Sequence, residues 1–149
     1  MQAVYDSIIK SLKEEEIDAH TDLSGGDLIL RVMPDRMGPD EDGMVVMEVC
    51  RVPIDDEYGH GYYQLFTAIA KDLPKEKYPT VLANLNEVNV SAVLGNYAVL
   101  SEHGMVYHKY VAKITEGTDE QTAKELLRVI FDVLGVIDND FENVFLSLG

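Results

Sequence analysis

Val4, Tyr5, Ile8, Ile9 and Leu12 recur at helical spacing while Lys10, Lys13 and Glu14 fall on the other side, which predicts an amphipathic helix at the N-terminus. Ser24-Gly25-Gly26 is turn chemistry. The run Leu28-Ile29-Leu30-Arg31-Val32 after it reads as a strand that Pro34 stops. Pro39-Asp40-Glu41-Asp42-Gly43 reads as a second turn, and Met44 to Val52, rich in Val and Met, as a second strand, so the two form an antiparallel hairpin with a long loop. Tyr62 to Leu73 fits two periods. Tyr62, Leu65, Phe66 and Ile69 would share a helical face, and Tyr63, Leu65, Thr67 and Ile69 a strand face; the weight of Tyr, Phe, Thr and Ile favours the strand.

Pro74 and Pro79 bracket the start of a second helix whose stripe is Val81, Leu82, Leu85 and Val88. Tyr97 to Leu100 and Met105 to Ile114 then flank Glu102-His103-Gly104, where the glycine can take the positive φ of a tight hairpin turn. Thr118 with Gln121 three residues on is a capping box, and it opens a third helix striped by Leu126, Leu127, Ile130, Leu134 and Ile137. Phe141, Val144, Phe145 and Leu148 repeat the stripe, so this helix bends or restarts between 135 and 139. The order is α-β-β-β-α-β-β-α. It predicts an α+β fold in which helices pack on a twisted antiparallel sheet, and no repeat or linker divides residues 1–149 into more than one domain.

Charge narrows the partners. The 149 residues carry a formal net charge of −15, and residues 1–57 hold −10 of it. Such a chain repels phosphate backbones and anionic headgroups, so neither nucleic acid nor a membrane surface is an expected partner. There is no signal-peptide pattern and only one cysteine, Cys50, so a cytoplasmic chain without disulfides is expected. His20, His60, His103 and His108 lack metal-ligand spacing, and the acids around Asp40, Glu41 and Asp42 do not fit a calcium loop. Cys50 has no neighbouring base, and no glycine pattern matches a phosphate loop or a nucleophile elbow. The expectation is a protein that is not an enzyme and needs no cofactor or metal.

The stretch from Tyr62 onward resembles two related bacterial groups, the class I type III secretion chaperones and the YbjN family of sensory transduction regulators. The matching features are Leu73-Pro74 at a strand end, the helix segment Leu82-Ala83-Asn84-Leu85-Asn86-Glu87-Val88-Asn89, Gly95-Asn96-Tyr97 leading into a hairpin, and Glu102-His103-Gly104 at its tip. The element order extends the resemblance over most of the chain. It implies a chaperone-like α+β domain, commonly a homodimer, that binds a segment of a partner polypeptide without catalysing a reaction. A YbjN-like regulator binding a folded partner or small ligand is the alternative, and the acidity also allows an immunity or inhibitor protein that caps a basic enzyme.

Four of the six methionines, Met33, Met37, Met44 and Met47, fall in the first hairpin. They are candidates for adaptable apolar contacts with the partner, and Asp40, Glu41 and Asp42 for a basic rim on it. Binding to such a partner should slow as salt rises. Leu82, Leu85, Tyr107 and Tyr110 are the candidate dimer interface.

Overall fold

The structure, a computed structural model, describes residues 1–34, 45–54 and 56–148. Helix α1 (Gln2–Glu14) leads into strands β1 (Asp18–Ser24), β2 (Asp27–Met33), β3 (Val46–Val52) and β4 (His60–Ala70); α2 (Tyr78–Val90) follows, then β5 (Asn96–Leu100), β6 (Met105–Thr115) and α3 (Asp119–Leu148). The six strands form one antiparallel open sheet in the order β1-β2-β3-β4-β6-β5. The α+β class is therefore as the periodicities predict, and the ambiguous segment after Gly61 is a strand.

Two elements differ from the sequence reading. Asp18–Ser24 is an additional strand, paired with β2 through the turn at Gly25-Gly26. Its sequence, Asp-Ala-His-Thr-Asp-Leu-Ser, has no apolar alternation because it is an edge strand that lays only Ala19 and Thr21 partly under the helices. Helix α3 runs unbroken over 30 residues and does not restart at Gly135. Its capping box forms as expected: the Gln121 amide donates to Thr118 Oγ1 at 3.2 Å, and the Thr118 amide to Gln121 Oε1 at 3.0 Å.

Strand alternation gives the sheet two unlike sides. Leu30 and Val32, Met47 and Val49, Tyr63, Leu65 and Thr67, and Val106, His108, Ala112 and Ile114 point to one side and are buried. That side receives Val4, Tyr5, Ile8 and Leu12 of α1, Val81 and Leu85 of α2, and Leu126, Ile130, Val133 and Ile137 of α3 in one continuous core. All three helices lie there. A β-bulge at Ile69 shifts the register of the long β4–β6 ladder by one residue near its end.

Candidate binding surface

Among the described residues no helix lies on the other side of the sheet, and its side chains are only partly polar. Cross-strand pairing lines His20, Arg31, Glu48, Phe66, Lys109 and Asn96 across all six strands. By the same alternation Met33, Val46, Cys50, Val52, Tyr62, Ala68, Tyr107 and Val111 share this side. Most are half-buried, Val111 is 43% exposed, and the polar Gln64 stands between Cys50 and Val111. Phe66 and Tyr107 stack with ring centroids 4.6 Å apart, which pins two aromatic faces flat on the sheet. Beside them a shallow cleft of about 300 Å³ opens between Arg31, Glu48, Lys71 and Met105.

Charge on this side is sorted by strand. Asp18, Asp22 and Asp27 stand on β1 and β2, with Arg31 held between Asp22 at 3.3 Å and Glu48 at 3.5 Å. Lys109 and Lys113 stand on β6, and Lys71 just past the end of β4. Cys50 lies in the apolar middle, where burial pushes its thiol up, with Asp27 and Glu48 adding to the shift. It is held protonated and is a poor nucleophile.

Both sheet edges are managed. On β5 the Asn89 side chain from α2 pairs with the strand backbone like a neighbouring strand: the Tyr97 amide donates to Asn89 Oδ1 at 2.7 Å, and Asn89 Nδ2 donates to the Tyr97 carbonyl at 2.9 Å. On β1 the alternating acids Asp18 and Asp22 make strand addition costly.

One polar clasp closes the lower end of the helix side. Arg51 grips Glu116 through two nitrogens, at 2.7 and 3.1 Å, and Tyr63 donates its hydroxyl to the same carboxylate at 2.6 Å. Arg51 beside it holds the Glu116 carboxyl below its ordinary range, and burial together with Glu116 raises the Tyr63 hydroxyl. Gly61 leaves room for the clasp, since a Cβ there would push the Glu116 carboxyl off its partners. On the neighbouring loop Asp56 accepts from the Tyr58 and His60 amides at 2.9 and 3.0 Å and faces His60 Nδ1 at 2.9 Å. These groups are used up in holding chain to chain. Among the described residues no three His, Cys, Asp or Glu side chains converge as metal ligands would, and no helix is long and apolar enough to cross a membrane.

The residues singled out by sequence scatter over several places. Met37, Met44, Asp40, Glu41 and Asp42 lie outside the described residues. Met33 is half-buried at the end of β2 on the open side. Met47 is the correction: it is 0% exposed, opposite Val32 and Thr67 under the helices, and cannot touch a partner of the folded chain. Its neighbour Glu48 carries the signal, since a carboxylate facing out fixes the alternate position as facing in. The expected dimer surface also divides. Leu82 is 47% exposed on the outside of α2, whereas Leu85 is 1% exposed inside it; Tyr107 is on the open side and Tyr110 packs under the helices. Phe66, Tyr62, Val111, Lys109 and Lys113 were not anticipated as a surface, although the lack of a clearly polar face on β4 was legible. In comparison with known proteins, no family model matches this chain and no curated protein does.

Proposed function

We propose that this protein is a non-catalytic protein-binding module, similar in role to the secretion chaperones and YbjN-like regulators that its second half resembles, and that it binds with the open side of its sheet. The observation that carries the reading is the patch of apolar and aromatic side chains, with Val46, Val52, Tyr62, Phe66 and Tyr107 half-buried and Val111 43% exposed, on a side that no helix of the described residues covers. A sheet normally leaves such a face polar when water is its only neighbour. The matching occupant is a polypeptide surface with an apolar centre, basic where it meets β1 and β2 and acidic where it meets β6. Nucleic acid fits poorly against a chain of net charge −15.

A photo-crosslinking residue placed at Val111 in cells of the source organism tests this. Polypeptide adducts are expected there and not at Lys124, which is exposed on α3. Equal adduct levels at the two positions would overturn the reading.

A further inference from the structure

We infer that the occupant of the open side is a single amphipathic α-helix of the partner polypeptide, lying along the strands over β3 and β4, with basic residues on its flank toward β2 and acidic residues on its flank toward β6. The inference rests on the open side being a protein-binding surface, and it fixes the form and chemistry of what binds there. The carrying observation is an apolar strip bordered by charge of opposite sign. Val46, Val52, Tyr62, Phe66 and Ala68 form the strip on β3 and β4. Asp18, Asp22 and Asp27 stand beside it on β1 and β2, and on β6 Lys109 and Lys113 alternate with Tyr107 and Val111. Asp18, Asp27 and Lys109 make no ion pair among the described residues, so their charge is free to meet a partner. Glu48 and Gln64 interrupt the strip, Glu48 taken up by Arg31 at 3.5 Å and Gln64 uncharged.

Backbone hydrogen bonding decides the form. The face of a sheet offers side chains only, so an extended segment lying on it finds no partner there for its amides and carbonyls. Strand addition at an edge would supply them, but Asn89 occupies the edge of β5 and Asp18 and Asp22 guard β1. A helix bonds its own backbone and needs only an apolar stripe to pack. The chain already uses this solution on its other side, where α1, α2 and α3 lie on the same sheet.

The dimensions agree. β2 and β6 are separated by β3 and β4. At ~4.8 Å per strand they stand ~14 Å apart, room for one helix about 10–12 Å across with its side chains. A partner sheet would be broader, and would press its apolar residues onto Asp18, Asp22 and Lys113. From Tyr62 to Ala68 the strip runs ~20 Å at ~3.3 Å per residue, the length of a helix of about thirteen residues. At its Ala68 end the cleft of about 300 Å³, lined by Val46, Phe66, Ala68 and Met105 among others, takes one large apolar side chain. Lys113 lies 3.9 Å from Asp56, so Lys109 is the stronger anchor for an acidic flank. A helix with its two flanks of opposite charge meets both margins in one of its two directions along the strip.

Three labelled synthetic peptides of one composition and no net charge, made of Leu, Ala, Lys and Glu, test the inference by fluorescence anisotropy against the whole chain. The first sets leucines at helical spacing with lysines along one flank and glutamates along the other. The second keeps the leucine stripe and interleaves Lys and Glu on both flanks, and the third places the leucines at alternate residues, the period of a strand. The first is expected to bind, the second at least roughly fivefold more weakly and the third at least roughly tenfold more weakly. Val111→Arg, which sets a charge at the floor of the binding face, should weaken the first peptide at least roughly tenfold and leave the melting temperature of the chain unchanged. Equal affinity of the first and third peptides overturns the helix, equal affinity of the first and second overturns the sorted margins, and an undiminished Val111→Arg chain overturns the face. If none of the three binds, the inference fails; polypeptide adducts at position 111 in cells would then uphold the binding reading without it, and their absence would end both.

Discussion

His108 and Thr67 face each other across β4 and β6, both 0% exposed, and they set how the centre of the sheet responds to pH and to substitution. A carbonyl can only accept, so His108 Nε2 donates its proton to the Leu94 carbonyl at 2.7 Å. Gly95 with φ +75° lies against that ring, so close that a Cβ would strike it. Burial holds the imidazole below its ordinary 6.5, with the Leu94 bond and Asp140 opposing in part. The unfolded chain therefore takes up this proton first as pH falls. Stability is full above 6.5 and declines below it, and His108→Gln, which keeps a donor for Leu94 but does not titrate, should flatten that part of a urea-denaturation series. Glu116 acts in a lower window. Its carboxyl is held below 4.5 chiefly by the Arg51 hydrogen bond, so its contribution is complete above 4.5 and lost as pH drops beneath it; Glu116→Gln should remove only that limb. Thr67 Oγ1 has no hydrogen-bond partner among the described residues. Thr67→Val keeps the β-branch and removes a buried polar atom, so it should raise the unfolding free energy by about 1 kcal/mol in the same assay.

At the scale of elements, the two helix-linked devices differ in what their loss does. Thr118→Ala removes one half of the α3 capping box and should cost about 1 kcal/mol in denaturant unfolding, with no change in association. Asn89→Leu removes both hydrogen bonds to Tyr97, should cost about 1–3 kcal/mol, and should make the chain prone to strand-on-strand aggregation, read as thioflavin-positive growth, because β5 then offers a bare edge. Such elements were legible in the sequence to the degree that burial imposes a period. α1, β2 and α3 each bury one face and announce it, and the strand alternation of Tyr63, Leu65, Thr67 and Ile69 is the side that the helices cover. β1 buries so little that its polar residues carry no period, and only the turn at Gly25-Gly26 hints that something precedes β2. Met47 was misplaced for a different reason: methionine serves cores and adaptable surfaces alike, so its identity says nothing about side and only the alternation with Glu48 does. The open apolar side was harder still to read, because it joins residues from β2, β3, β4 and β6 whose adjacency depends on β6 inserting between β4 and β5.

For the whole molecule, the decisive quantity is the net charge of −15, because it gives self-association and capture of a basic partner opposite responses to salt. Two copies whose centres lie about 30 Å apart would repel by roughly 30 kcal/mol in unscreened water. At 0.01 M salt the Debye length of ~30 Å leaves on the order of 10 kcal/mol of that, and at 0.15 M the ~8 Å length leaves only a few kcal/mol or less. Exposed ion pairs at the rim of any such contact contribute about 0–1 kcal/mol each, so screening them costs far less than screening the overall repulsion returns. Apolar contact between two copies through the open side would supply the attraction and would be little affected by salt in this range. The dimer should thus strengthen steeply from 0.01 M to 0.15 M salt, concentrations at which these Debye lengths hold. A cationic partner drawn to the acidic margin would do the reverse, binding most tightly at low salt. Sedimentation equilibrium across that range gives the sign directly: a mass that rises from 16.6 kDa toward twice that value as salt is added fits self-association through apolar contact. A dimer that dissociates as salt is added would mean that ion pairs, and not the apolar middle around Phe66, Tyr107 and Val111, hold the two chains together.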